Sequence, residues 1–260
     1  KKYLTACLLG YYQQQLVYSD NSSQMDIYRL EKPLWIFVGG SVTKSLNKKE
    51  ASDVVTIVKF ISDFIKDTTI SKDHISQILT GKAGLNDELG TSIFANSFDY
   101  LKDKDLDVNT LYSDILLRVF NTSLAGANVH IDNLKGIDGE LGLRIGDTQD
   151  YFGVINVGDD STLHKLCMEA GILGMDMDFS KSLFHKINEN NSPINLLIGS
   201  KKFTEGWSSW RVSTMGLMNI GRGEGSQIIQ LFGRGVRLKG LGMSLKRSSR
   251  LDEYQKPIDK

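Results

Sequence analysis

The chain has 260 residues and a mass of 29.0 kDa, enough for one large domain or two small ones with a real core. With 40% hydrophobic and 24% charged residues its composition is that of an ordinary globular protein, and no apolar run approaches the roughly 18 residues a membrane span needs. The formal net charge is zero, but residues 200–250 carry ten basic against two acidic side chains, so this stretch is +8 and the remainder −8; such a bias fits a polyphosphate ligand, nucleotide or nucleic acid, although a solvated surface can also be uneven by chance.

Two cysteines, Cys7 and Cys167, exclude a disulfide framework and fit a reducing cytoplasm. The opening Lys1-Lys2-Tyr3 lacks the apolar stretch of a signal peptide, and the missing initiator Met points to a piece of a longer chain.

Residues 3–18 place apolar side chains at helical spacing and predict an amphipathic helix. Residues 20–32 are polar and read as a loop. The apolar run 34–38, bounded by Pro33 and Gly39, has the length of a buried parallel strand. Residues 53–65 return to helical spacing, with Ser52 or Asp53 as N-cap. Between 67 and 150 the pattern predicts helices at 70–79, 92–101 and 109–120 and a strand at 141–145. Strand 151–157, a helix over 161–170 after Asp159-Asp160, a helix over 179–188, strand 194–198, strand 212–220 and a helix over 224–232 complete the chain. Strands alternating with helices predict an α/β fold with a parallel sheet, whose ligand loops lie at the carboxyl ends of the strands.

Three segments carry chemistry. In the last helix, Gln230 and Arg234 are one turn apart and Arg237 lies a further turn along, so two guanidiniums and an amide share one surface. Gly233 keeps that surface low, so that a ligand or a neighbouring backbone can approach. Such a set suits the oxygens of a transferring phosphate; the bland alternative is a solvated arginine face. The second segment is Phe203-Thr204-Glu205-Gly206-Trp207-Ser208-Ser209-Trp210-Arg211-Val212, and the third is Pro33-Leu34-Trp35-Ile36-Phe37-Val38-Gly39-Gly40-Ser41.

The Q-x-x-G-R-x-x-R pattern after an apolar strand resembles motif VI of superfamily 2 helicases and translocases. The second segment resembles their motif V and the third their motif IV. The three are most similar to the helicase subunit of type III restriction enzymes and related DEAD/DEAH-type proteins, over residues 30–60 and 194–240. The resemblance implies a RecA-like parallel sheet flanked by helices. Residues 33–66 and 151–240 would form the second RecA-like domain, 1–32 a helical lead-in from a preceding motor domain, 67–150 a helix-rich insertion lying to one side, and 241–260 a basic tail.

It further implies ATP with Mg2+, the metal held mainly by the preceding domain, which would also supply the Walker motifs. Arg234 and Arg237 would act as arginine fingers, with Gln230 positioning the γ-phosphate or attacking water. Gly206, Ser208 and Gly233 would lie by the nucleotide, and Gly39, Gly40, Ser41, Lys201, Lys202 and Thr204 would meet nucleic-acid phosphates. Ser208 departs from the acidic residue or Asn of many relatives, which puts the ribose contact in doubt. DNA is the expected partner, with RNA the alternative, beside the preceding domain and a modification subunit; no membrane partner is expected. A rival reading is a non-catalytic nucleic-acid-binding α/β module.

Other patterns fail on their own terms. Residues 39–45 lack the second glycine of a P-loop, Gly221-x-Gly223-x-Gly225 lacks the last glycine and the acidic partner of a dinucleotide fingerprint, and Asp87-Glu88 follows no apolar strand. The four histidines have no zinc-ligand spacing, so no metal site is predicted. Trp207 and Trp210 offer rings either for stacking a base or for packing the loop on the sheet.

Overall fold

The computed structural model describes residues 1–25, 30–39, 48–148, 150–178, 181–189, 191–199, 209–218, 229, 233 and 250. The helices are α1 (Lys2–Asp20), α2 (Ser22–Met25), α3 (Lys48–Lys66), α4 (Thr68–Leu79), α5 (Asp99–Asp103), α6 (Val108–Phe120), α7 (Asp160–Glu169) and α8 (Leu183–Lys186). The strands are β1 (Leu34–Gly39), β2 (Val129–Leu134), β3 (Glu140–Ile145), β4 (Gly153–Asn156), β5 (Asp176–Met177), β6 (Leu196–Gly199) and β7 (Val212–Met218). They form one seven-stranded sheet in the order β5-β2-β3-β4-β6-β1-β7. Only β3 runs against its neighbours; every other pairing is parallel. The protein is therefore α/β, with the four strands read from apolar runs lying side by side and parallel as β4-β6-β1-β7.

Strand alternation divides the core in two. Trp35 and Phe37 of β1, Ile155 of β4, and Leu196 and Ile198 of β6 point into a large cluster with α1, α3, α4, α6 and α7. Leu34, Ile36 and Val38 of β1, Val154 of β4 and Leu197 of β6 point the other way, into a smaller cluster with Leu183 and Phe184 of α8. Both faces of these strands are thus covered, which is why the runs read as continuously apolar rather than alternating. Trp35 is fully buried, stacked on Tyr11 of α1 at 5.6 Å between ring centroids and tilted against Phe37 at 4.7 Å.

Helix starts follow local chemistry. Asp67, Asp107 and Asp159 each accept a backbone N–H at the first turn of α4, α6 and α7, a cap that contributes about 1 kcal/mol. α6 ends on Asn121 in the left-handed region, φ 53°, and the Asn195 amide donates to the carbonyls of Arg118 and Val119 at that end, each at 3.0 Å. Asn121 thereby takes the place of the usual capping glycine, and Asn195 satisfies two of the last carbonyls.

Several expectations need correction. α3 begins at Lys48, so Ser52 and Asp53 lie within it; Lys48, Lys49, Glu50 and Ala51 are good helix formers that carry the helix back past the expected cap. The helix expected at 92–101 is only α5, because the chain before it turns instead: Asp87 accepts the N–H groups of Leu89 and Thr91, and Ser92 that of Phe94. The helix expected at 179–188 shortens to α8, four residues long, with Ser182 capping it and the buried Glu140 carboxylate accepting from Leu183 N and Phe184 N. Strand β2 was hidden by Asp132 and Asn133, residue types disfavoured in strands, which break off the short alternation of Val129, His130 and Ile131.

Residues 67–150 do not lie to one side. They supply α4, α5 and α6, and also β2 and β3, which extend the sheet from β4; α4 and α6 share the main core. Likewise α1 is embedded in this core through Leu8, Leu9, Tyr11 and Tyr12, all buried.

Candidate functional site at the carboxyl edge

After β1 the chain passes through α3 and re-enters the sheet on the side of β2, β3 and β4. After β6 it crosses over β1 to form β7 on the opposite side. β1 and β6 are neighbours whose onward connections leave in opposite directions, which in open α/β sheets defines the ligand-binding crevice at the strands' carboxyl ends. Register sets those ends level: Ile198 pairs with both Phe37 and Ile155, Asn156 with Gly199, and Gly39 with Met218. The stems of the three motif-bearing segments therefore emerge from one row.

Gly199 is required there. Its φ is 137°, a region open essentially to glycine alone, and a Cβ would fall 2.0 Å from the Asn156 carbonyl oxygen. The chain leaving β6 is thus held tight against the end of β4. In the sequence Gly199 is only the residue that follows the apolar run 194–198; the steric demand could not be read without the partner strand.

Of the predicted site residues, Gly39 ends β1 at the crevice. Gly233 has helical backbone and is exposed, and among the described residues nothing lies within 4 Å of a Cβ built on it. Gly40, Ser41, Lys201, Lys202, Thr204, Gly206, Ser208, Gln230, Arg234 and Arg237 lie outside the described residues, as does Trp207. The expected strand 212–220 is described as far as Met218, and of the helix expected over 224–232 only Ile229 is described.

Arg211 and Trp210 belong to the opposite edge. Trp210 is half-buried in the turn that enters β7 at its amino end, a packing position rather than a stacking platform beside the crevice. Arg211, counted above in the basic stretch, is 3% exposed. Its guanidinium donates to the carbonyls of Lys32 (2.9 Å), Ile194 (2.7 Å) and Ile187. It staples the roots of β1, β6 and β7 and cannot serve a phosphate.

Burial, and then the Arg211 charge, push the neighbouring Lys32 amine down to about 8. The sign is definite. Between about 8 and the ordinary lysine value near 10.5 the folded amine is neutral while the unfolded one is protonated, so stability rises with pH across that window. Below about 8 the full cost of a buried charge is present. Lys32→Met is therefore expected to stabilise the protein at pH 7 by about 1–2 kcal/mol, after allowance for the partial exposure of the amine. The gain should vanish as pH approaches about 10. Urea unfolding of both proteins across this range checks it; a gain that is independent of pH would assign the effect to packing.

A polar cluster that sequence reasoning missed lies on the α8-side face of β2 and β3. Asp132, 0% exposed, accepts from Arg144 Nε at 2.5 Å, Tyr151 OH at 3.2 Å and Met175 N at 3.3 Å. Arg144 also donates to the Gly146 carbonyl and faces His130 Nδ1 at 3.4 Å. Burial, with the Asp132 charge adding to it, pushes the Tyr151 hydroxyl up to about 12; burial and then Arg144 hold His130 below the usual histidine range. Gly142 leaves room for the Tyr151 ring, which a Cβ would meet at 2.4 Å. The spacing of Asp132 and Arg144 carries no sequence signal, because only the hairpin register brings them together.

Among the described residues no group of three His, Cys, Asp or Glu side chains is placed to hold a metal, and no helix is long and apolar enough to cross a membrane. No family model, no curated protein and no solved structure matches this chain.

Proposed function

We propose that the chain is the C-terminal motor domain of an ATP-dependent DNA helicase or translocase of superfamily 2, similar to the type III restriction subunit and acting in the cytoplasm. One observation carries the reading: β6, β1 and β7 are adjacent, parallel and level at their carboxyl ends, and each leads into one of the three motif-like segments. A crevice at a topological switch point, bounded by Gly39 and Gly199, suits a phosphate-bearing group that needs close backbone approach.

In this reading ATP supplies the free energy of stepping, its triphosphate and Mg2+ held mainly by a preceding RecA-like domain. Arg234 and Arg237 stabilise the charge that develops on the transferring phosphoryl group, and Gln230 orients the attacking water. Gly206, Ser208 and Gly233 border the nucleotide. Gly39, Gly40, Ser41, Lys201, Lys202 and Thr204 hold the nucleic-acid backbone and fix its position without reading bases. By itself the domain binds nucleic acid and does not hydrolyse ATP.

Binding tests the grip. Affinity for DNA is expected to fall by about 10- to 100-fold between about 50 and about 200 mM salt, as released counterions require for a few phosphate contacts. Replacing Lys201, Lys202 and Thr204 together should weaken binding equally for unrelated sequences and flatten the salt slope. Binding restricted to one duplex sequence and indifferent to salt would overturn the motor-type grip. DNA binding without nucleic-acid-stimulated ATP hydrolysis, in a protein that includes the preceding domain, would favour the non-catalytic module.

A further inference from the structure

β5 ends the sheet on the side of β2, and the segment around it, residues 172–178, leaves α7 through Gly171, whose φ is 86°. Three N–H groups of β2 hold this segment. Ile131 donates to Leu173 O at 2.8 Å, Asn133 to Met175 O at 2.8 Å and Lys135 to Met177 O at 3.0 Å. A continuous parallel ladder would return a bond from Met175 N to Ile131 O. Two side chains stand in for that bond. Met175 N donates to Asp132 Oδ1 at 3.3 Å, and Ile131 O lies 3.0 Å from His164 Nε2 of α7. A carbonyl only accepts, so His164 carries its hydrogen on Nε2. Gly174 permits the substitution, because a Cβ there would run into the Ile131 carbonyl oxygen and come within 2.8 Å of His164 Nε2.

The rest of the segment is lightly held. Leu173 and Met175 are each 47% exposed, and of residues 172–178 only Ile172 and, in part, Met177 join the two cores. β2 is anchored far better. On its other side it pairs with β3 over five residues, and its Val129, Ile131 and Leu134 are buried. Lifting the segment therefore breaks a few hydrogen bonds and uncovers little apolar surface, whereas parting β2 from β3 opens the main core.

We propose that residues 172–178 form an edge strand that opens and closes on β2 separately from the rest of the sheet, with His164 and Asp132 as its latch. The latch is divided between elements. Asp132 belongs to the strand that stays in place, and His164 to the helix from which the segment departs. The inference goes beyond the motor reading and rests on no part of it.

Hydrogen exchange of the native chain tests it, because successive amides of one strand report on different neighbours. The N–H groups of Ile131, Asn133 and Lys135 face the segment, whereas those of His130 and Asp132 face β3. The first three should share a common protection at least about 100-fold below that of the other two. Equal protection of the two sets, or three unrelated values in the first, overturns the proposal. His164→Ala should lower the protection of the first set by about a further tenfold and leave His130 and Asp132 N–H unchanged. His164→Gln should recover most of that loss, since its Nε2 donates from a similar distance along the side chain. No change in the first set on His164→Ala overturns the latch. Equal acceleration of both sets does so too, because His164 would then support the whole sheet.

Discussion

On the motor reading proposed above, Arg237→Ala, in a protein that joins this chain to a preceding motor domain, is expected to depress nucleic-acid-stimulated ATP hydrolysis by about 10³-fold, the scale of a lost arginine finger. ATP affinity should change little, because ground-state binding would come mainly from the other domain. Arg234→Ala should behave alike. Arg237→Lys should not restore activity, since an ammonium lacks the planar fork that meets two phosphoryl oxygens. Arg222 and Arg247 are suitable controls with small effects. Arg211 is not, because its guanidinium holds three carbonyls in the interior and its loss would disturb the fold. Wild-type hydrolysis by Arg237→Ala would mean that the basic helix is structural.

Asp132→Ala should have the largest effect on stability, about 3–5 kcal/mol, because it strands the Arg144 guanidinium in the interior with its charge uncompensated. Tyr151 OH and Met175 N lose an acceptor in the same step. Replacing both partners by apolar residues, Asp132→Val with Arg144→Met, should cost clearly less than Asp132→Ala alone. Urea denaturation of the two single variants and the double one measures the coupling. A cost for Asp132→Ala below about 1 kcal/mol would show that water reaches the pair and screens it.

The parts of this fold legible in the sequence share one property: their pattern is local. The apolar runs around Ile36, Ile155 and Leu197 declare strands by length and composition alone, and all three are buried, whereas the run after Val212 is legible as a strand but lies half-exposed at the sheet edge. Asp159 announces α7 because a cap and the N–H it satisfies are close neighbours in the chain. What stayed hidden depends on partners far away. β2 looks like a loop until Arg144 arrives beside Asp132, and α8 starts at Leu183, where Glu140 from β3 accepts the first-turn N–H groups. Arg211 shows the same limit at the candidate site. In the sequence it is one more cation in a basic stretch, and only the roots of three strands reveal that its charge is turned inward. The carboxyl-edge crevice was foreseeable from glycines following strands, but the need for glycine at 199 comes from the Asn156 carbonyl.

The anchoring of α1 bears on how any movement reaches the crevice. Tyr11 OH donates to the carbonyl of Pro33 at the root of β1, and the Gln15 amide reaches the Asn195 side chain at the root of β6. These are the two strands whose far ends flank the crevice. α1 is therefore a lever bolted to both jaws: a pull on it carries Gly39 and Gly199 together, and the gap between them keeps its width. Any bending has to be absorbed outside this helix, leaving the crevice to travel as a rigid tool.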